Sequence, residues 1–154
     1  MDYPILSKIN CSEDVSRLPY DKLNDLCAEV RGFLIDKVSK TGGHLSANLG
    51  TVEIMTAMHY CFNTPVDQFV FDVGHQCYTH KLYTGRRDRF DGLRKLNGLS
   101  GFPSPAESVD DAFIAGHGST SISLAIGLAQ AKKIKKEAGY VIAVIGDGAF
   151  TGGM

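Results

Sequence analysis

The chain has 154 residues, 44% hydrophobic and 21% charged, which is enough apolar mass for one globular domain and excludes a highly charged disordered segment. A formal net charge of -1 excludes a general field for drawing in nucleic acid or an anionic membrane, so any anion must be held by a local site. No apolar run approaches the roughly 20 residues that span a bilayer, and the start lacks a secretory pattern; with Cys11, Cys27, Cys61 and Cys77 in no CxxC spacing, the expectation is a soluble, reduced, cytoplasmic protein acting on small molecules.

Residues 1–20 read as an amino-terminal segment ahead of a main body over 21–154. From Asp21 to Lys40, residues Leu23, Leu26, Val30, Phe33, Leu34 and Val38 recur at spacings of three and four, which predicts a one-faced helix that stops at Gly42-Gly43. "HLSANLGT" (His44 to Thr51) reads as a loop. Val52, Met55, Met58, His59 and Phe62 then resume helical spacing, with the methionines as core filler, until "NTP" ends the helix. "QFVFDV" (Gln68 to Val73) has the aromatic and β-branched content of a strand, with Gly74 and His75 at its carboxyl end. Tyr83 to Ser108, charged and rich in glycine, proline and serine, reads as a long surface connection with at most short helical turns.

Asp110 to Gly116 reads as the end of a further strand, followed by His117, Gly118 and the hydroxyl residues around Ser119 to Ser123. An Ala-, Ile- and Leu-rich helix, roughly Ser121 to Glu137, finishes in lysines that suit the negative end of its dipole and is closed by Gly139. The chain ends on "VIAVIGDGAFTGGM" (Val141 to Met154), a buried strand that delivers Asp147 onto a sharp Gly-Asp-Gly turn. Strands alternating with helices predict an α/β domain with a mainly parallel sheet flanked by helices. Ligands of such sheets bind beyond the carboxyl ends of the strands, where His75, Gly116-His117 and Asp147 are expected to converge.

Two glycines beside Asp147 let backbone amides approach a ligand while the carboxylate offers a hard oxygen to a divalent cation; the plain alternative is a turn. His44, in a glycine-bounded loop, can shuttle protons near neutral pH, His75 and His117 can donate to a phosphate or a substrate oxygen, and each can equally be a hydrogen-bonded structural histidine. A zinc site fails on spacing, since His75 with His80 is the one close pair. "KKIKK" (Lys132 to Lys136) lacks stacking aromatics and reads as a solvated helix end, and "GRRDRF" (Gly85 to Phe90) as a surface ion-pair cluster around Asp88. There is no GxxxxGK[ST], and an acid inside "GDGAFTGG" would repel a bare phosphate, which favours a metal with a diphosphate.

Five stretches carry a resemblance: "GGHLSANLGTVE" (Gly42 to Glu53), "DVGHQCYTHKLYTGRRDRF" (Asp72 to Phe90), "GLSGFPSPAES" (Gly98 to Ser108), "GHGSTSIS" (Gly116 to Ser123) and "VIAVIGDGAFTGGM". Together they resemble the amino-terminal part of the 1-deoxy-D-xylulose-5-phosphate synthase family, transketolase-like enzymes dependent on thiamine diphosphate. The resemblance implies part of a thiamine diphosphate-binding fold and condensation of pyruvate with D-glyceraldehyde 3-phosphate, with loss of CO₂, for isoprenoid, thiamine and pyridoxal phosphate synthesis. It also implies Asp147 as the Mg²⁺ ligand, Gly148 and Ala149 at the diphosphate, and His75 and the loop Gly116, His117, Gly118 as cofactor contacts. His44 is implied as the catalytic proton-transfer residue, and a homodimer is implied for the full-length enzyme.

Two departures stand out. Gly118 lies where the family usually has serine, and the motif opened by Asp147 normally runs on to an asparagine, the second protein ligand of Mg²⁺. The expectation is therefore a fragment, inactive and weakly cofactor-binding alone, that needs the rest of the polypeptide and leaves its last strand and return helix unpaired. Its open sheet edge would favour self-association. The competing expectations are a transketolase-type ketol transferase and a non-catalytic module for a phosphorylated ligand.

Overall fold

In the computed structural model, which describes residues 2–152, the chain gathers into two units, residues 2–63 with 75–101 and residues 64–74 with 102–152. The first unit is helical. Asp14 caps α1 (Ser12–Ser16), its carboxylate accepting the Asn10 amide at 2.8 Å and the Cys11 amide at 3.1 Å. Helix α2 (Leu23–Thr41) buries Leu26, Val30, Phe33, Leu34 and Val38 as the spacing predicts, adds Cys27, leaves Leu23 half-buried, and stops where Gly42 turns to φ 76°.

Residues 44–51 are not a loop throughout, because Leu45–Leu49 form the short helix α3. No apolar period announces it; buried Asn48 anchors it through tertiary hydrogen bonds. Helix α4 (Val52–Cys61) follows, with Met55 fully buried and Met58 half-buried.

The stretch from Tyr83 departs further from expectation. Its helical turns are indeed short: α5 (Tyr78–Lys81) runs into a kinked turn, Leu82–Arg86, and a 3₁₀ turn, Arg87–Gly92. It is not a surface connection, however, since Tyr83, Phe90, Leu93 and Leu99 are buried and Phe90 meets Phe33 edge-on at 5.5 Å. Apolar residues spaced through polar sequence supply this part of the core. Nor is "GRRDRF" a surface ion-pair cluster. Arg86 is buried and donates to the Thr84 hydroxyl at 2.6 Å, while Arg87 donates to the Leu6 carbonyl at 2.6 Å besides pairing with exposed Asp88.

The second unit holds β1 (Gln68–Phe71), α6 (Ser121–Lys135), β2 (Val141–Val144) and α7 (Asp147–Phe150). β1 and β2 pair in parallel, Gln68 opposite Val141 through Phe71 opposite Val144, and α6 packs against both. Helices with a small parallel sheet make this an α/β fold, and the closing strand has a partner. It is half-buried rather than buried, with a single hydrogen-bonded neighbour strand among the described residues. Asp110 to Gly116 forms no strand. Lys136, not Gly139, takes the left-handed position after α6, at φ 57°. The first lysine of "KKIKK" is not solvated: Lys132 is buried and donates to the carbonyls of Val66 and Ala138, each at 2.8 Å.

Candidate cofactor site

In the first unit, His44 is the residue before α3 and is exposed, and His75 follows β1 in sequence and is half-buried. Their rings meet edge-on with centroids 5.2 Å apart. Asn48, which the sequence reading passed over, holds both segments: its side-chain amide donates to the carbonyls of His44 at 2.7 Å and His75 at 2.8 Å, and its oxygen accepts the Tyr78 amide at 2.8 Å. The signal was available only as a polar residue inside a motif. Tyr78 is buried against Gly43, whose φ of 144° and closeness to the phenol leave no room for a side chain.

Burial, and then the neighbouring His44, lower the His75 pKa, so its imidazole is neutral at pH 7. His75 Nδ1 is buried and has no hydrogen-bond partner among the described residues. A buried polar atom of this kind is costly unless a ligand satisfies it. His80, by contrast, is engaged elsewhere: its Nδ1 lies 3.0 Å from His59 Nε2, and His59 Nδ1 lies 2.7 Å from the Ser12 hydroxyl. Among the described residues no cluster of three or more metal-ligating side chains forms.

In the second unit, three segments come together at the carboxyl end of the sheet. Beyond β1, the Asp72 amide continues the ladder to the Val144 carbonyl at 2.8 Å, and Val73 donates to the His117 carbonyl at 3.4 Å. The Asp72 carboxylate is 2% exposed and accepts the amides of Ser119, Thr120 and Ser121 at the start of α6. Burial alone would raise its pKa; these amides outweigh burial and hold it below the usual carboxylate range. Gly116, His117 and Gly118 are exposed on this loop, beside an open cleft of about 390 Å³ lined by Phe113, Ile114 and Leu124 among others.

Asp147 is exposed and opens α7 rather than sitting in a sharp turn. Neither Gly146 nor Gly148 adopts a left-handed conformation, and a methyl group built on either meets nothing within 4 Å. These glycines answer no demand of the chain's own packing and leave open space beside Asp147. Gly118 is also free of backbone constraint: an added methyl would lie 3.6 Å from Val73 Cγ2, in ordinary contact.

The family model described as 1-deoxy-D-xylulose-5-phosphate synthase matches residues 6–154. The chain belongs to the 1-deoxy-D-xylulose-5-phosphate synthase family. It is 57% identical over 150 residues to the curated 1-deoxy-D-xylulose-5-phosphate synthase of Caldanaerobacter subterraneus subsp. tengcongensis, covering 97% of this chain and 24% of that protein. The synthase of Parabacteroides distasonis is 57% identical over 151 residues, and synthase 1 of Geobacter sulfurreducens 53% over 150, each with 97% of this chain and 24% of the relative covered. The chain thus spans about a quarter of the length of these family members.

Proposed function

We propose that the chain is the amino-terminal segment of a thiamine diphosphate- and Mg²⁺-dependent transferase that joins pyruvate to D-glyceraldehyde 3-phosphate with release of CO₂, giving 1-deoxy-D-xylulose 5-phosphate. The observation that carries this reading is the family match over residues 6–154. Three features of the chain fit the cofactor: the unsatisfied buried Nδ1 of His75, the exposed carboxylate of Asp147, and the open space at Gly146 and Gly148.

Thiamine diphosphate, when bound, supplies a carbanion that adds to a ketone and stabilises the charge left by decarboxylation. Asp147 would give one hard oxygen to Mg²⁺, which would offset the charge of the diphosphate. Gly148 and Ala149 present backbone to the diphosphate, and Gly116, His117 and Gly118 form a second contact segment. His75, kept neutral by burial, makes a hydrogen bond through Nδ1. His44, exposed beside it, moves a proton at the reacting carbon.

The same reading makes the enzyme a cytoplasmic homodimer whose remaining polypeptide completes the site, so the isolated 154 residues are expected to be inactive. No helix in the described residues is long and apolar enough to cross a membrane. The test is an assay of the full-length protein with thiamine diphosphate, Mg²⁺, pyruvate and D-glyceraldehyde 3-phosphate. Substrate-dependent CO₂ release with formation of the deoxyketose phosphate is expected. Ketol transfer from a sugar phosphate, with pyruvate left intact, would overturn the assignment in favour of a transketolase activity.

A further inference from the structure

We propose that Asp72 is a positioning residue for the diphosphate end of the site, fixing the Gly116–Ser121 segment to the end of β1, and that Ser119 passes this restraint on to the Asp147–Ala149 segment. This rests on the thiamine diphosphate reading above. A helix start leaves up to four amide N–H groups without helical acceptors, which commonly makes it an anion site. Here the anion is the chain's own: Asp72 Oδ1 accepts the Ser119 amide at 2.8 Å, and Oδ2 accepts those of Thr120 and Ser121 at 3.1 Å. An incoming diphosphate finds these amides taken and must be received by the residues on either side of them.

Ser119 is the junction. It holds a left-handed backbone, φ 64°, which a serine keeps only when its surroundings impose it. Asp72 grips its amide, while its hydroxyl donates to the Ala149 carbonyl at 2.8 Å. Two segments far apart in sequence, each exposed and glycine-bearing, therefore share one side chain. Gly116, His117 and Gly118 are themselves exposed, so their geometry depends on anchors at their edges: the Asp72 carboxylate, and the Val73 amide on the His117 carbonyl at 3.4 Å. Organising both segments before the cofactor arrives removes an ordering cost from binding.

The test compares full-length wild type with Ser119→Ala and Asp72→Asn by amide hydrogen exchange and by calorimetric titration with thiamine diphosphate in the presence of Mg²⁺. Ser119→Ala removes one hydroxyl and leaves the three amide bonds to Asp72 in place. Its expected signature is faster exchange over residues 147–151, a thiamine diphosphate Kd raised about three- to tenfold, and an unchanged melting temperature. Asp72→Asn should loosen both 116–121 and 147–151 and raise Kd further. If Asp72→Asn fails to fold, Ser119→Ala decides the matter alone: unchanged exchange and an unchanged Kd in that variant overturn the positioning role while the functional reading stands. Wild-type protein that takes up no thiamine diphosphate overturns both.

Discussion

The side-chain amide of Asn48 donates to the main-chain carbonyl of His75 at 2.8 Å, tying the His75 segment of the first unit to the helix that His44 precedes. The same group bonds the His44 carbonyl, and the Asn48 oxygen takes the Tyr78 amide. Asn48→Ala would leave these backbone groups without that partner in a buried setting. A loss of about 2–4 kcal/mol is expected on the usual cost of unsatisfied buried groups. Urea denaturation of wild type and variant measures it, and a difference below about 0.5 kcal/mol would show that the clamp is redundant.

Gly43 meets the same tyrosine. A methyl group there would lie 2.7 Å from the Tyr78 hydroxyl, with the backbone at φ 144°. Gly43→Ala should cost about 1–3 kcal/mol. Adding Tyr78→Phe removes the oxygen that the methyl strikes, so part of the loss should return and the part due to backbone strain should remain. A double-mutant cycle separates the two, and simple additivity would refute the steric account.

Gly118→Ser places the residue that the family resemblance leads one to expect at a position with neither a positive φ nor a close neighbour. Stability should stay within about 0.5 kcal/mol of wild type, as read from the melting temperature. A large loss would mean that glycine is structurally required there.

His59 sets a pH dependence. Burial first, then nearby His80 and Arg86, depress its pKa well below 6.5, so the folded protein keeps the ring neutral. Below about pH 6.5 the unfolded chain takes up a proton that the folded chain refuses. The stabilising difference is complete above that pH and shrinks as pH falls toward the lower folded value. Urea midpoints should therefore drop between about pH 7.5 and about pH 5.5, and His59→Gln should flatten that slope. An identical slope in the variant would place the effect elsewhere.

Apolar spacing made the long helices legible. The face of α2 from Leu26 to Val38 and the Met55 face of α4 are buried as read. What escaped was structure made by single polar contacts. Asn48 folds α3, Lys132 grips two carbonyls, and Arg86 is buried beside Thr84, none with a periodic signature. Tyr83 to Ser108 misled for the opposite reason, since its charge and glycine content masked a few isolated core residues such as Phe90. Glycine and histidine motifs singled out His75, Gly116 and Asp147 as candidates, and a parallel sheet was foreseeable from the alternation of strands and helices. The role of Asp72 was not, because nothing in "FDVG" announces a carboxylate turned onto a helix start some fifty residues away.

The contact between His59 Nε2 and His80 Nδ1 at 3.0 Å has one further implication. When both rings are neutral a single hydrogen occupies that contact, so the tautomer of one ring then dictates that of the other. If His59 carries it on Nε2, His59 Nδ1 must accept from Ser12; if His80 carries it on Nδ1, His59 Nδ1 must donate to Ser12. The hydroxyl and the two imidazoles thus form a row with two opposite polarities, and reversing one member means reversing all three.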